Sequence, residues 1–142
     1  MGMSRVNVQF LEKGFHRALF EAMPMPIFVV DQEVTIFEQN AAASRLSGPK
    51  AGQLGHRIGQ ALHCVNAMLD HQECGETQAC ADCIVRNSVK AAARGESVVR
   101  QWARTELVRE GKKVKVNFRV NCHPFKFEQR PFVILILEGL DE

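Results

Sequence analysis

Between Lys112 and His123 the side chains alternate: Val114, Val116, Phe118, Val120 and Cys122 fall on one face, Lys113, Lys115, Asn117, Arg119 and Asn121 on the other. A period of two with one apolar and one wet face describes a half-buried strand, which needs a sheet covered on a single side. Two neighbours complete its pattern. Ser97 to Arg109 reads as a strand that turns at Glu110-Gly111 into the alternating one, and Arg130 to Leu137 reads as the last strand. Near the other end of the chain, Ile27 to Asp31, a tight turn at Gln32-Glu33, and Val34 to Glu38 form a β-hairpin.

The stretches between the strands read as helices. Residues 4–23 read as a helix, with Phe15, Ala18, Leu19, Ala22 and Met23 at helical spacing; Gly14 weakens its middle, and two shorter helices are the alternative. Met23-Pro24-Met25-Pro26 ends it, because a proline biases the preceding residue toward extended geometry. Asn40 caps a short helix from Ala41 to Leu46, stopped by Ser47-Gly48-Pro49. A further short helix is expected over Gln53 to Leu62, weakened by Gly55 and Gly59. Cys83 to Arg94 is the longest of the later helices, with Ile84, Val85, Val89 and Ala92 or Ala93 inward and Gly95 as its stop. The expectation is an α+β fold: a five-stranded antiparallel sheet with helices on one face. Residues 1–23 are an N-terminal amphipathic helix, and 24–142 are one domain carrying a cysteine-rich insertion at 63–83.

Composition narrows the function. Of the 142 residues, 46% are apolar, enough for a core, and the net charge of +2 is too small to favour nucleic acid or an anionic membrane. No apolar run approaches the roughly 20 residues of a membrane span, and the N-terminus lacks a secretory signal's apolar segment. A cytoplasmic location follows as an expectation. In that reducing compartment the five cysteines, Cys64, Cys74, Cys80, Cys83 and Cys122, are not expected to form structural disulfides. Catalysis is not expected either, since no Ser–His–Asp pattern, phosphate loop or paired-carboxylate motif appears and no catalytic residue is assigned.

The segment Leu19-Phe20-Glu21-Ala22-Met23-Pro24-Met25-Pro26-Ile27-Phe28-Val29-Val30-Asp31, followed by Asn40-Ala41-Ala42-Ala43 and Leu46-Ser47-Gly48, resembles the opening of a PAS domain. That opening is a helix end, Met-Pro, an apolar strand, Asp, a second strand, Asn-x-Ala, and a glycine after a leucine. Val133-Ile134-Leu135-Ile136-Leu137-Glu138 is similar to the family's closing strand. The resemblance implies a sensory or regulatory module for signal transduction, with a histidine kinase or another signalling effector as its output. Cys64-Val65-Asn66-Ala67, Cys74-Gly75 and Cys80-Ala81-Asp82-Cys83 also resemble a cysteine-rich pattern in some bacterial sensor-kinase PAS domains.

The spacing Cys64-x9-Cys74-x5-Cys80-x2-Cys83 points to a metal site. Four thiolates can bind zinc tetrahedrally or hold an iron–sulfur cluster, and a Cys-x2-Cys pair lets two sulfurs converge on one centre. Cys83 enters the first turn of a helix, whose amides and dipole favour thiolate charge, and Gly75 relieves crowding around a sulfur. Redox or oxygen sensing favours the cluster, because zinc has no redox chemistry. The pairing of His71-x2-Cys74 with Cys80-x2-Cys83 imitates zinc spacing instead, and either His71 or His63 is a substitute ligand. A thiol–disulfide switch and unliganded thiols in a loop are the remaining alternatives. A thioredoxin-like catalyst is disfavoured, as no strand precedes Cys80. Covalent haem is excluded because residue 84 is Ile where Cys-x2-Cys-His would need histidine. Cys122 is expected to be a core residue, and His123 a surface one.

Phe132 to Leu137 is apolar on both faces, so one face packs under the helices and the other needs a cover. A homodimer through the sheet face and N-terminal helix is expected, with Trp102 joining that surface. The alternative is that the same helix covers the sheet within a monomer.

Overall fold

The computed structural model describes residues 14–65, 67, 74, 80 and 83–140. Its elements are α1 (Phe15–Ala22), β1 (Ile27–Val30), β2 (Ile36–Gln39), α2 (Ala41–Ser47), α3 (Lys50–Gln53), α4 (Ile58–Leu62), α5 (Ile84–Ala93), β3 (Val98–Arg109), β4 (Lys112–Phe127) and β5 (Arg130–Leu140). The strands form one antiparallel sheet in the order β2-β1-β5-β4-β3. This is the expected α+β layout. Among the described residues no helix is long and apolar enough to cross a membrane.

The core lies between the inner face of the sheet and the helices. Phe28, Val30, Leu107, Phe118, Val120, Cys122, Leu135 and Leu137 from the strands meet Val85, Val89 and Ala92 of α5, with Ile58, Ala61 and Leu62 of α4 beside them. A fully buried aliphatic or phenyl side chain contributes about 1.5–3 kcal/mol, so this layer dominates the stability. Cys122 is fully buried there, as expected, and burial pushes its thiol up to about 12.

Asn40 joins the first hairpin to the helices. Its Oδ1 accepts from the Ala43 N–H at 2.9 Å, capping α2, and from the Ile27 N–H at 3.0 Å. Its Nδ2 donates to the Met25 carbonyl at 3.0 Å. One buried side chain thus fixes the entrance to β1 and the start of α2.

Several boundaries differ from the sequence reading. The expected second strand began at Val34, but Val34 has φ 59°, a left-handed value that is strained for a β-branched residue, and β2 starts at Ile36. The single helix expected over Gln53 to Leu62 is replaced by α3 and α4, with Gly55 at φ 89° breaking the run. Gly14 takes φ 88° at the N-terminal cap of α1, and the expected helical residues 4–13 lie outside the described residues. Strand β4 continues past the expected end at His123, through Pro124 to Phe127. The β3–β4 pairing finishes at Val98↔Cys122, so Pro124 lies where β4 is an edge and pairs only with Val133 of β5. A proline there breaks no ladder on its free side. Val114 lies on the expected inner face yet is 39% exposed, because the β3–β4 hairpin runs past the helices.

The outer face carries an aromatic group. The Phe37 and Phe132 rings meet edge-on at 5.3 Å, Phe125 stacks on Phe132 at 5.7 Å, and the Arg130 guanidinium lies 4.6 Å from the Phe37 ring. Trp102, 58% exposed, lies under the Arg119 guanidinium on the same face. Helix α1 buries none of its residues and is held by an ion pair from Arg17 to Glu38 at 2.7 Å. In the described part of the chain this helix therefore does not seal the outer face. Burial opposes the Glu38 charge, but hydrogen bonds from Arg17 and Lys50 outweigh it and hold the carboxyl at about 2.

Candidate functional site: a four-cysteine cavity

Four cysteines from separate points of the chain line one small cavity of about 50 Å³ beneath α4 and the start of α5. Its walls are completed by Ile58, Gly59, Leu62, Val85, Arg86 and Thr105. None of the cysteines is in a disulfide; Cys80 is buried and Cys64, Cys74 and Cys83 are partly so. The four positions singled out by spacing therefore share one enclosure.

Backbone hydrogen bonds deliver each sulfur. Helix α4 ends at His63, whose φ of 60° turns the chain so that the Cys64 N–H donates to the Gly59 carbonyl at 2.8 Å. Cys64 then bridges to Leu107 of β3, and the His63 carbonyl accepts from the Val108 N–H at 2.8 Å. The Cys83 N–H donates to the Cys80 carbonyl at 3.2 Å, closing the Cys-x2-Cys turn. Cys83 is the N-terminal cap of α5, one residue before the helix rather than inside its first turn, and its Sγ accepts from the Arg86 N–H at 3.5 Å. The helix-start amide expected to favour thiolate charge is thus aimed at this sulfur.

Cys74 is seated by a glycine that the spacing did not single out. A Cβ added to Gly59 would stand 2.8 Å from both Cβ and Sγ of Cys74, so only glycine at 59 lets this sulfur lie against α4. The Arg57 Nη1 donates to the Cys74 carbonyl at 2.7 Å. Burial pushes the Cys74 thiol above its ordinary value. The Gly59 backbone hydrogen bond and the Arg86 charge pull the other way, while Cys83 and Cys80 add to the rise.

The arrangement is a shared cavity, not a finished ligand sphere. Among the described residues no three or more His, Cys, Asp or Glu side chains are placed so that they could hold a metal ion. His63 is exposed and is not part of the cavity wall, and His71 lies outside the described residues, as do Gly75, Ala81 and Asp82. Sequence reasoning also passed over Arg86. It lies three residues after Cys83, in the first turn of α5 beside Val85, and only 9% of its side chain is exposed.

An antiparallel sheet in the order 2-1-5-4-3, with its helices and a small cavity on one face, defines a class, and comparison with known proteins names it. A family model described as a PAS domain matches residues 14–78. The PAS domain of an HTR-like protein from Haloarcula marismortui is 22% identical with a TM-score of 0.54, covering 91% of this chain and 99% of that one. A PAS domain from a two-component sensor histidine kinase is 12% identical with a TM-score of 0.59, covering 93% and 99%. A PAS domain from Colwellia psychrerythraea is 16% identical with a TM-score of 0.59, covering 92% and 97%. A comparison with curated protein sequences finds no match. The chain has the fold of these PAS domains, and the segment matched by the family model includes the opening motif from Leu19 to Gly48.

Proposed function

We propose that this chain is a cytoplasmic sensory module of a signalling protein, in which Cys64, Cys74, Cys80 and Cys83 hold a metal centre. The state of that centre would set the position of α5 and, through it, the sheet. The observation that carries this reading is that four cysteines line one small apolar cavity. Three further features suit thiolate ligation: the N–H directed at the Cys83 sulfur, the bare Gly59 surface against Cys74, and the buried guanidinium of Arg86.

An iron–sulfur cluster fits redox or oxygen signalling, which zinc cannot supply. A second reading, a single structural zinc in an interaction and dimerisation module, is supported by the donor set, since four thiolates bind zinc tetrahedrally. In either case the role is regulatory rather than catalytic. The output is a histidine kinase or another effector, in keeping with the sensor kinase among the similar structures. The exposed Trp102 and the Phe37, Phe125 and Phe132 group support a homodimer through the outer sheet face.

The test is metal content and visible absorption of protein purified without oxygen. A brown protein that bleaches in air supports the cluster; a colourless one with a single zinc per chain supports the second reading. Either signal is expected to disappear in a C80S/C83S variant. Metal-free protein from both preparations contradicts both.

A further inference from the structure

Arg86 is a buried cation with one nitrogen left over. Its Nη2 donates to Glu33 Oε1 at 3.0 Å, on the turn between β1 and β2, while Nη1 is buried with no hydrogen-bond partner among the described residues. A buried donor without an acceptor costs about 1–3 kcal/mol, and more when it is charged. The apolar residues Val85, Val89 and Ala92 already bury the inner face of α5. Arg86 lies in the wall of the cavity that the four cysteines line. Among the described residues the other polar member of that wall outside the cysteines is Thr105, which is neutral. Four thiolates around a divalent ion carry a net charge of −2, a large charge to bury unless a cation stands beside it.

We propose that Arg86 is the counter-cation of this centre, donating through Nη1 to a ligand sulfur while Nη2 keeps the guanidinium anchored on Glu33. This rests on the metal reading above and adds to it a positioning and charge-balancing residue outside the cysteine set. The spare donor is then matched to its acceptor, and loading the cavity satisfies a group that is stranded without it. Arginine suits the role better than lysine, because its rigid fork reaches two acceptors at once.

The test is zinc affinity of the reduced full chain by competition with a chromogenic chelator, using Zn²⁺ alone as the probe, for wild type, R86K, R86M and C80S/C83S. Loss of a charge-assisted hydrogen bond is expected to weaken R86M ten- to hundredfold, with R86K in between. The urea midpoint of the metal-free protein is expected to hold or rise in R86M, because the change removes the stranded Nη1 donor while the partly exposed ion pair to Glu33 that it also removes is worth little. A purely structural arginine would instead lower that midpoint. If R86M does not fold, R86K decides: a loss of threefold or more supports the proposal, and wild-type affinity refutes it. R86M that binds zinc as tightly as wild type, while C80S/C83S does not bind, overturns the counter-cation role and leaves the metal reading standing. A wild-type protein that takes up no zinc overturns both.

Discussion

Adding a single methyl group at Gly59 tests how the cavity is built. In a helix, alanine is favoured over glycine by about 1 kcal/mol, so G59A would stabilise α4 if space allowed. Space does not allow it: the new Cβ would lie 2.8 Å from Cys74 Cβ and Sγ, though an ordinary 3.6 Å from Cys74 Cα. Overpacking of this kind costs about 1–3 kcal/mol, which outweighs the helix gain, and the expected net loss is about 1 kcal/mol. Replacing Cys74 by glycine removes both clashing atoms and leaves only the ordinary contact. In the C74G background G59A is therefore expected to change sign and to stabilise by about 1 kcal/mol. Urea unfolding of the four proteins of this cycle, followed by circular dichroism, measures the coupling. If G59A costs the same in both backgrounds, Cys74 does not rest against α4 and the cavity is wrongly assembled.

Further outcomes follow from particular contacts. N40A removes the α2 cap and strands the buried Ile27 N–H and Met25 carbonyl, an expected loss of about 3 kcal/mol in thermal or urea unfolding. N40D, which keeps the acceptor and loses the donors, is expected to fall between it and wild type. Glu38 is held at about 2 against an ordinary 4.5, so its contribution is fully present above 4.5 and is lost as pH falls toward 2. An acid titration of E38Q should lack the step that wild type shows in that window. H63G should raise stability by up to about 1 kcal/mol, because His63 is exposed at φ 60°, and should leave metal content unchanged; a fall in bound metal would make His63 a ligand after all. Cys122 should resist alkylation in folded protein until unfolding exposes it, whereas brisk labelling would contradict its place in the core.

What the sequence revealed depended on whether a signal was local. The Asn40 cap, the α5 start at Cys83-Ile84 and the alternation of β4 are local patterns, and each appears as read apart from shifts at the ends. Val34 shows how such a shift arises: its β-branched side chain reads as strand, yet tertiary contacts hold it in a left-handed turn. The extension of β4 through Pro124 was not legible because whether a strand tolerates proline depends on which side has a neighbour, and pairing is not written locally. Within the site, spacing found the four cysteines but not what surrounds them. Gly59 read only as a weak helix residue, since its value lies in what a Cβ would strike from a residue 15 positions further along. Arg86 offered a faint signal, a charged residue three positions before the inward Val89 of an amphipathic helix. Charge at an inward position is worth flagging, because buried arginine seldom lacks an anion.

The most direct measurement is X-ray absorption at the metal edge of protein loaded without oxygen. A first shell made of sulfur alone is expected, four atoms per metal and near 2.3 Å if the metal is zinc. A shell with nitrogen or oxygen neighbours, or one that survives the C80S/C83S change, would contradict a centre held by residues 64, 74, 80 and 83.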